Sequence, residues 1–178
     1  GQVTITGGEI TANGGSQGAG IGGGASAKPK GTLIGGNGTV TISGYQGLGT
    51  VTIEGDAVIK NAQGGEAGAG IGSGTDGDSN ILIRGNAIIE NAESKTGGAG
   101  IGSGQGFLYY DDDIEETIID KTVGNVTIEG NAKIENAKSG YGGSGIGGGA
   151  IGIGNVIIRG NAQIGNATGG EEGAGIGG

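Results

Sequence analysis

The chain of 178 residues carries 51 glycines, one proline, five aromatic residues and a net charge of −9, with neither histidine nor cysteine. Lacking His and Cys, it can build no Ser-His-Asp triad, cysteine nucleophile, disulfide, haem or iron–sulfur ligand set, or usual zinc site; Asp/Glu, Lys or Tyr chemistry and oxygen-ligated metals are what remain. The acidic balance opposes nucleic acid and anionic lipid, no stretch reaches the roughly 18 apolar residues of a membrane span, and irregular glycine spacing around a lone Pro29 excludes collagen.

Taken in chain order, Gly1 opens directly into a run, Val3-Thr-Ile-Thr-Gly-Gly-Glu-Ile-Thr-Ala-Asn, that leads to Gly18-Ala-Gly-Ile-Gly. We read this start as that of a piece of a longer polypeptide. The next full copy is Val51-Thr-Ile-Glu-Gly-Asp-Ala-Val-Ile-Lys-Asn-Ala, followed by Gly68-Ala-Gly-Ile-Gly-Ser-Gly, and further copies start at Ile81, Val126 and Val156. The step is 30 residues from 51 to 81 and from 126 to 156, but 45 from 81 to 126 and 48 from 3 to 51. We therefore expect a single solenoid domain over 1–178 with insertions near 25–38 and 105–125, and a shortened unit containing Val40-Thr41-Ile42, for five to six units in all.

Each unit holds three short segments in which apolar residues alternate with polar residues or Gly, the period-2 pattern of a half-buried strand. Recurrent Val, Ile and Ala also argue against a disordered tract. Three strands per unit of about 30 residues predict an all-β fold, a right-handed single-stranded parallel β-helix whose coils stack about 4.8 Å apart. The predicted inward columns are Ile53/83/128/158, Ile59/89/134/164, Ile71/101/146/176 and the narrower Ala57/87/132/162. Burial within one coil does not balance the entropy of ordering it, so stability is expected to be collective. Asn61, Asn91, Asn136 and Asn166 share one position, at a turn that Asn can enter with left-handed backbone, and should form a ladder of stacked amides; a row of amides open to sugar is the alternative. Glu54 with Arg84, and Glu129 with Arg159, are one period apart and should pair across coils on the outer surface. In the Gly-Ala-Gly-Ile-Gly runs one strand face carries no side chain, which suits either tight internal coil corners or flat contact with a partner.

These residues resemble the glycine-rich parallel β-helix repeats of large adhesin-like cell-surface proteins from Gram-positive gut bacteria. The likeness covers nearly the whole chain and includes no catalytic motif. It implies a secreted or cell-surface location, a stalk or adhesive role, neighbouring domains in the same polypeptide, and a glycan or a host or cell-surface protein as partner.

Within the 105–125 insertion, Phe107, Tyr109, Tyr110, Asp111, Asp112 and Asp113 place aromatic rings beside carboxylates, a combination suited to sugar contact or to Ca²⁺; a solvated loop laying its aromatics over a coil edge is the other reading. Asp76, Asp78 and Asn80 alternate like the first half of a calcium loop, yet, counted from Asp76, Ile81 and Ala87 stand where an EF-hand needs Gly and Glu. The cofactor expectation is accordingly none, or calcium. No carboxylate pair recurs on one face, so the chain is expected not to be an enzyme. A carbohydrate-active β-helix enzyme or accessory carbohydrate-binding module is the rival. Ice binding by rows that start at Thr4 and Thr6 is a remoter one, because Leu82 and Ile157 interrupt those rows.

Overall fold

The computed structural model describes residues 1–25, 31–35, 38–42, 48–111 and 116–178. Among the described residues, nineteen strands form three five-stranded parallel sheets and two antiparallel hairpins, with no helix. Sheet 1 comprises β1 (Gln2–Ile5), β6 (Gly49–Ile53), β9 (Ser79–Ile83), β14 (Thr122–Ile128) and β17 (Gly152–Ile158). Sheet 2 comprises β2 (Glu9–Asn13), β7 (Val58–Gln63), β10 (Ile88–Glu93), β15 (Lys133–Lys138) and β18 (Gln163–Thr168). In sheet 3 two-residue strands stack: β3 (Ile21–Gly22), β8 (Ile71–Gly72), β11 (Ile101–Gly102), β16 (Ile146–Gly147) and β19 (Ile176–Gly177). One strand from each sheet makes a coil, so the molecule is a right-handed parallel β-helix of five coils.

Equivalent repeat positions are register partners: Ile53 with Ile83, Ile83 with Ile128, and Ile128 with Ile158. In the middle of the stack the predicted columns are sealed, with Ile53, Ile83, Ile128, Ile59, Ile89, Ile134, Ile71, Ile101 and Ile146 all at 0% exposure. Ala57, Ala87 and Ala132 line the narrow corner beside them. That corner turns at Gly55, Gly85, Gly130 and Gly160, whose φ of 67° to 76° is left-handed backbone that Gly enters without steric cost.

Sheet 3 explains its bare strand face. The glycine ending each of its strands has positive φ, and a Cβ on Gly72 would overlap the carbonyl oxygen of Gly102 on the next coil, as one on Gly102 would overlap that of Gly147. The missing side chains let one coil sit on the next, which is the internal packing alternative.

Two expectations are corrected. Val40-Thr41-Ile42 does not start a coil: β5 (Gly38–Ile42) pairs antiparallel with β4 (Gly31–Gly35), Leu33 opposite Val40. A Val-Thr-Ile alternation encodes a strand but not its direction, so a hairpin resembles a short repeat. The shared Asn position is not a left-handed turn either, because Asp76 and Ile151 are the non-glycine residues with positive φ among those described. Instead, sheet 2 bends there: between buried Ile59 and Ala62, both Lys60 and Asn61 face outward. Within the 105–125 segment that contains the second insertion, Thr122–Asn125 run in β14.

Candidate functional site

Both hairpins leave the solenoid at the same corner, between sheet 3 and sheet 1. The β4–β5 pair lies between β3 and β6, and β12 (Phe107–Asp111) with β13 (Glu116–Asp120) lies between β11 and β14. The coils without a hairpin turn this corner through Asp76 (φ 56°) and Ile151 (φ 59°). Such φ values are uncommon for a residue with a side chain, most of all for β-branched Ile. Departures from the plain repeat thus collect along one edge of the molecule.

The β12–β13 hairpin stands on a hydrogen-bonded foot. Thr122, buried, donates from Oγ1 to Gly104 O (2.8 Å) and lies 3.1 Å from Ser103 Oγ. Gly106 N donates to Ala150 O (2.9 Å), and Val123 N donates to Asp78 Oδ1 (2.8 Å). Above this foot the ribbon exposes apolar surface: Phe107, Leu108 and Ile119 are 46%, 51% and 53% exposed, with Leu108 directly opposite Ile119. The backbones of Tyr109, Tyr110 and Asp111 continue β12; their side chains, and all of Asp112 and Asp113, lie outside the described residues.

The calcium-loop triplet is distributed among structural roles. Asp76 holds the corner, its N–H donating to Gln105 O (2.9 Å), while Asp78 anchors the start of β14 and Asn80 Oδ1 accepts from Asn125 Nδ2 (3.0 Å). Among the described residues, no group of three or more Asp or Glu side chains is placed to hold a metal ion.

Among the described residues, three amide ladders run along the outside. In sheet 2, Asn166 Nδ2 donates to Asn136 Oδ1 (3.0 Å) and Asn136 Nδ2 to Asn91 Oδ1 (3.3 Å), while Asn91 and Asn136 also donate to Lys60 O and Glu90 O (3.1 Å each). Asn61 is in register one coil below in the same bend. Sequence reasoning missed the other two. Asn161, Asn131, Asn86 and Asp56 form a chain at the corner between sheets 1 and 2, with spacings of 3.2, 3.1 and 3.0 Å. Asn155, Asn125 and Asn80 form another on sheet 1, at 2.9 and 3.0 Å. The signal was present, since each of these sets occupies one repeat position.

Ion pairs add a fourth stripe. Arg84 Nε meets Glu54 Oε2 and Arg159 Nε meets Glu129 Oε2, each at 2.7 Å, as the one-period spacing predicts. On sheet 2, Lys60 Nζ is 2.7 Å from Glu90 and 3.7 Å from Glu9. The hydrogen bond to Glu90, with the charge of Glu9 adding to it, holds the Lys60 ammonium above the ordinary lysine value.

Two shallow troughs lie on the outer faces. The one on sheet 2, about 300 Å³, includes Asn91, Asn136 and Asn166 with Glu93 and Lys138; the one on sheet 1, about 220 Å³, includes Thr50, Asn80, Leu82 and Asn125. A family model described as a beta helix repeat matches residues 3–25 and 51–75, within the first two coils. No curated protein and no solved structure gives a significant match to the chain. The match covers less than half of the chain and agrees with its parallel β-helix fold.

Proposed function

We propose that this chain is a non-catalytic structural and adhesive module of a bacterial cell-surface protein, in which a rigid solenoid holds the β12–β13 hairpin out to a glycan or cell-surface partner. The observation that carries this is the clustering of both insertions at one corner, because in stacked-repeat proteins the loops that depart from the repeat gather on the face used for contact. Exposed Phe107, Leu108 and Ile119 on an anchored foot suit such a contact, since an aromatic ring can lie against the apolar face of a sugar or of a protein partner. The sheet-to-sheet hydrogen bonding below the hairpin supplies rigidity, and the resemblance carried by the Val3 and Gly18 runs supports export and surface attachment.

The test replaces Leu108–Ile119 with a two-residue Asn-Gly turn and compares both chains on a glycan array and on fixed bacterial and epithelial cells, with far-UV circular dichroism as the folding check. Binding by the native chain that disappears in a folded hairpin-less variant is the expected result. Equal binding by both, or by neither, overturns the role of the hairpin.

A further inference from the structure

The outer face of sheet 1 differs in character from that of sheet 2. Its trough is lined by six outward side chains, Thr50, Thr52, Asn80, Leu82, Asn125 and Thr127, together with the edges of Val51 and Ile81. None is charged, in a chain with 27 charged residues (9 basic and 18 acidic). The adjacent charged column closes on itself through the Glu54–Arg84 and Glu129–Arg159 pairs. The sheet 2 trough, by contrast, has the charged Glu93 and Lys138 in its lining.

The two amide ladders also differ in what they leave unspent. An Asn side chain has two N–H donors and one carbonyl oxygen with two lone pairs. In sheet 2 Asn136 uses both donors on the protein, one on Asn91 Oδ1 and one on Glu90 O, which interrupts the row, while Asn91 and Asn166 use one each. Asn125 and Asn155 each use one, on the Oδ1 of the coil below, and the Asn80 amide donates to no described residue. Sheet 1 therefore offers a spare amide donor on every coil from Asn80 to Asn155, at the strand spacing of about 4.8 Å. Beside it run Thr52, Leu82 and Thr127, in register with one another, whose methyl groups and hydroxyls alternate apolar contact with hydrogen bonding.

We infer that this trough is a binding site for a neutral, unbranched polysaccharide lying along the solenoid axis. Sugar hydroxyls take the spare amide donors and the threonine hydroxyls, Leu82 packs against a ring face, and the absence of charge spares an uncharged ligand the cost of desolvating an ion. A polymer repeats the contact coil after coil, whereas a disaccharide engages one or two rungs, so affinity rises with chain length. The site is independent of the hairpin contact proposed above.

Calorimetric titration of the 178-residue chain with cellohexaose and chitohexaose, their disaccharides, and an anionic oligogalacturonate tests this. The neutral hexasaccharides, at least one of them, should bind about tenfold or more tightly than the corresponding disaccharide, and the anionic oligomer should not compete. Thr127→Lys places a long charged side chain in the trough without touching a ladder atom and should weaken binding by at least about tenfold. Leu82→Lys repeats the test one coil away, and thermal melting shows that each variant is folded. The hairpin-less variant should bind as the native chain does. The proposal is overturned if no neutral hexasaccharide binds or if binding survives both lysine substitutions. Loss of binding in the hairpin-less variant alone moves the sugar site to the hairpin instead.

Discussion

The middle of the solenoid and its last coil are built from nearly the same words and differ in what they bury. Ile128 and Ile146 are 0% exposed, whereas Ile158 and Ile176, one period on in the same columns, are 40% and 45% exposed. Their strands are as regular as those of the interior, and β17 pairs with β14 over seven residues. Burial here belongs to the stack: the middle isoleucines have a coil on each side, whereas those of the last coil have a described coil on one side alone. Each isoleucine column is thus a chain of nearest-neighbour contacts, the quasi-one-dimensional arrangement expected of stacked repeats.

The sharpest way to break the comparison is to add one methyl group at the coil-to-coil contact. In Gly102→Ala the new Cβ would overlap the carbonyl oxygen of Gly147, and backbone cannot step aside as a side chain could. We expect a loss of about 4 kcal/mol or more, or failure to fold. Gly177→Ala makes the same change at an equivalent position where nothing lies within 4 Å of the new Cβ; only its positive φ opposes the substitution, at a cost of about 1–3 kcal/mol. Urea denaturation followed by circular dichroism compares the two, and similar midpoints would sink the packing explanation for the sheet 3 glycines.

Next in size is removal of isoleucine from one column. Ile128→Ala should cost about 2–5 kcal/mol, as large-to-small changes in sealed cores do. Ile158→Ala, at a site already open to solvent, should cost about 1 kcal/mol or less. Equal losses would mean that the last coil is covered in solution by something beyond these residues.

The same distinction shows which parts of the structure could be read in advance. Columns were legible because Ile53, Ile83 and Ile128 recur at a fixed repeat position and period 2 assigns each a side of the strand. Pairing direction was not, and Val40-Thr41-Ile42 therefore resembled a coil start while belonging to a hairpin. Asn91 and Asn136 read as a ladder from their shared position, whereas Asn86, Asn131 and Asn161, which recur just as regularly, each follow a Gly, where an Asn is equally at home in a turn. The Asp76-x-Asp78-x-Asn80 spacing suggested a metal loop, whereas the carboxylate of Asp78 meets the N–H of Val123, 45 residues away, which no local pattern encodes. As for the hairpin, its aromatic and acidic composition marked a segment of interest, but exposure of Phe107 depends on the foot formed by Gly104, Ala150 and Thr122, which only the folded stack brings together.

The smallest effect sharpens the comparison at the surface. Lys60 is flanked from both sides of its coil, by Glu9 and by Glu90, whereas the guanidinium of Arg159 meets one partner, Glu129, from the coil before it. Folded Lys60 holds its proton more tightly than the same residue in the unfolded chain. Its contribution to stability is therefore complete below the pKa of an unfolded lysine and is lost as the pH rises through the higher folded value. Lys60→Met should lower the urea midpoint slightly at neutral pH, by less than either core change, because exposed ion pairs are screened and offset by side-chain entropy. The difference between native chain and variant should shrink toward zero in strongly alkaline buffer and also in high salt. Arg159→Met, which leaves Lys60 and both of its carboxylate partners in place, should show the salt dependence as well. A Lys60→Met difference that persists unchanged at alkaline pH would assign the effect to the packing of the lysine stem across β7 and not to its charge.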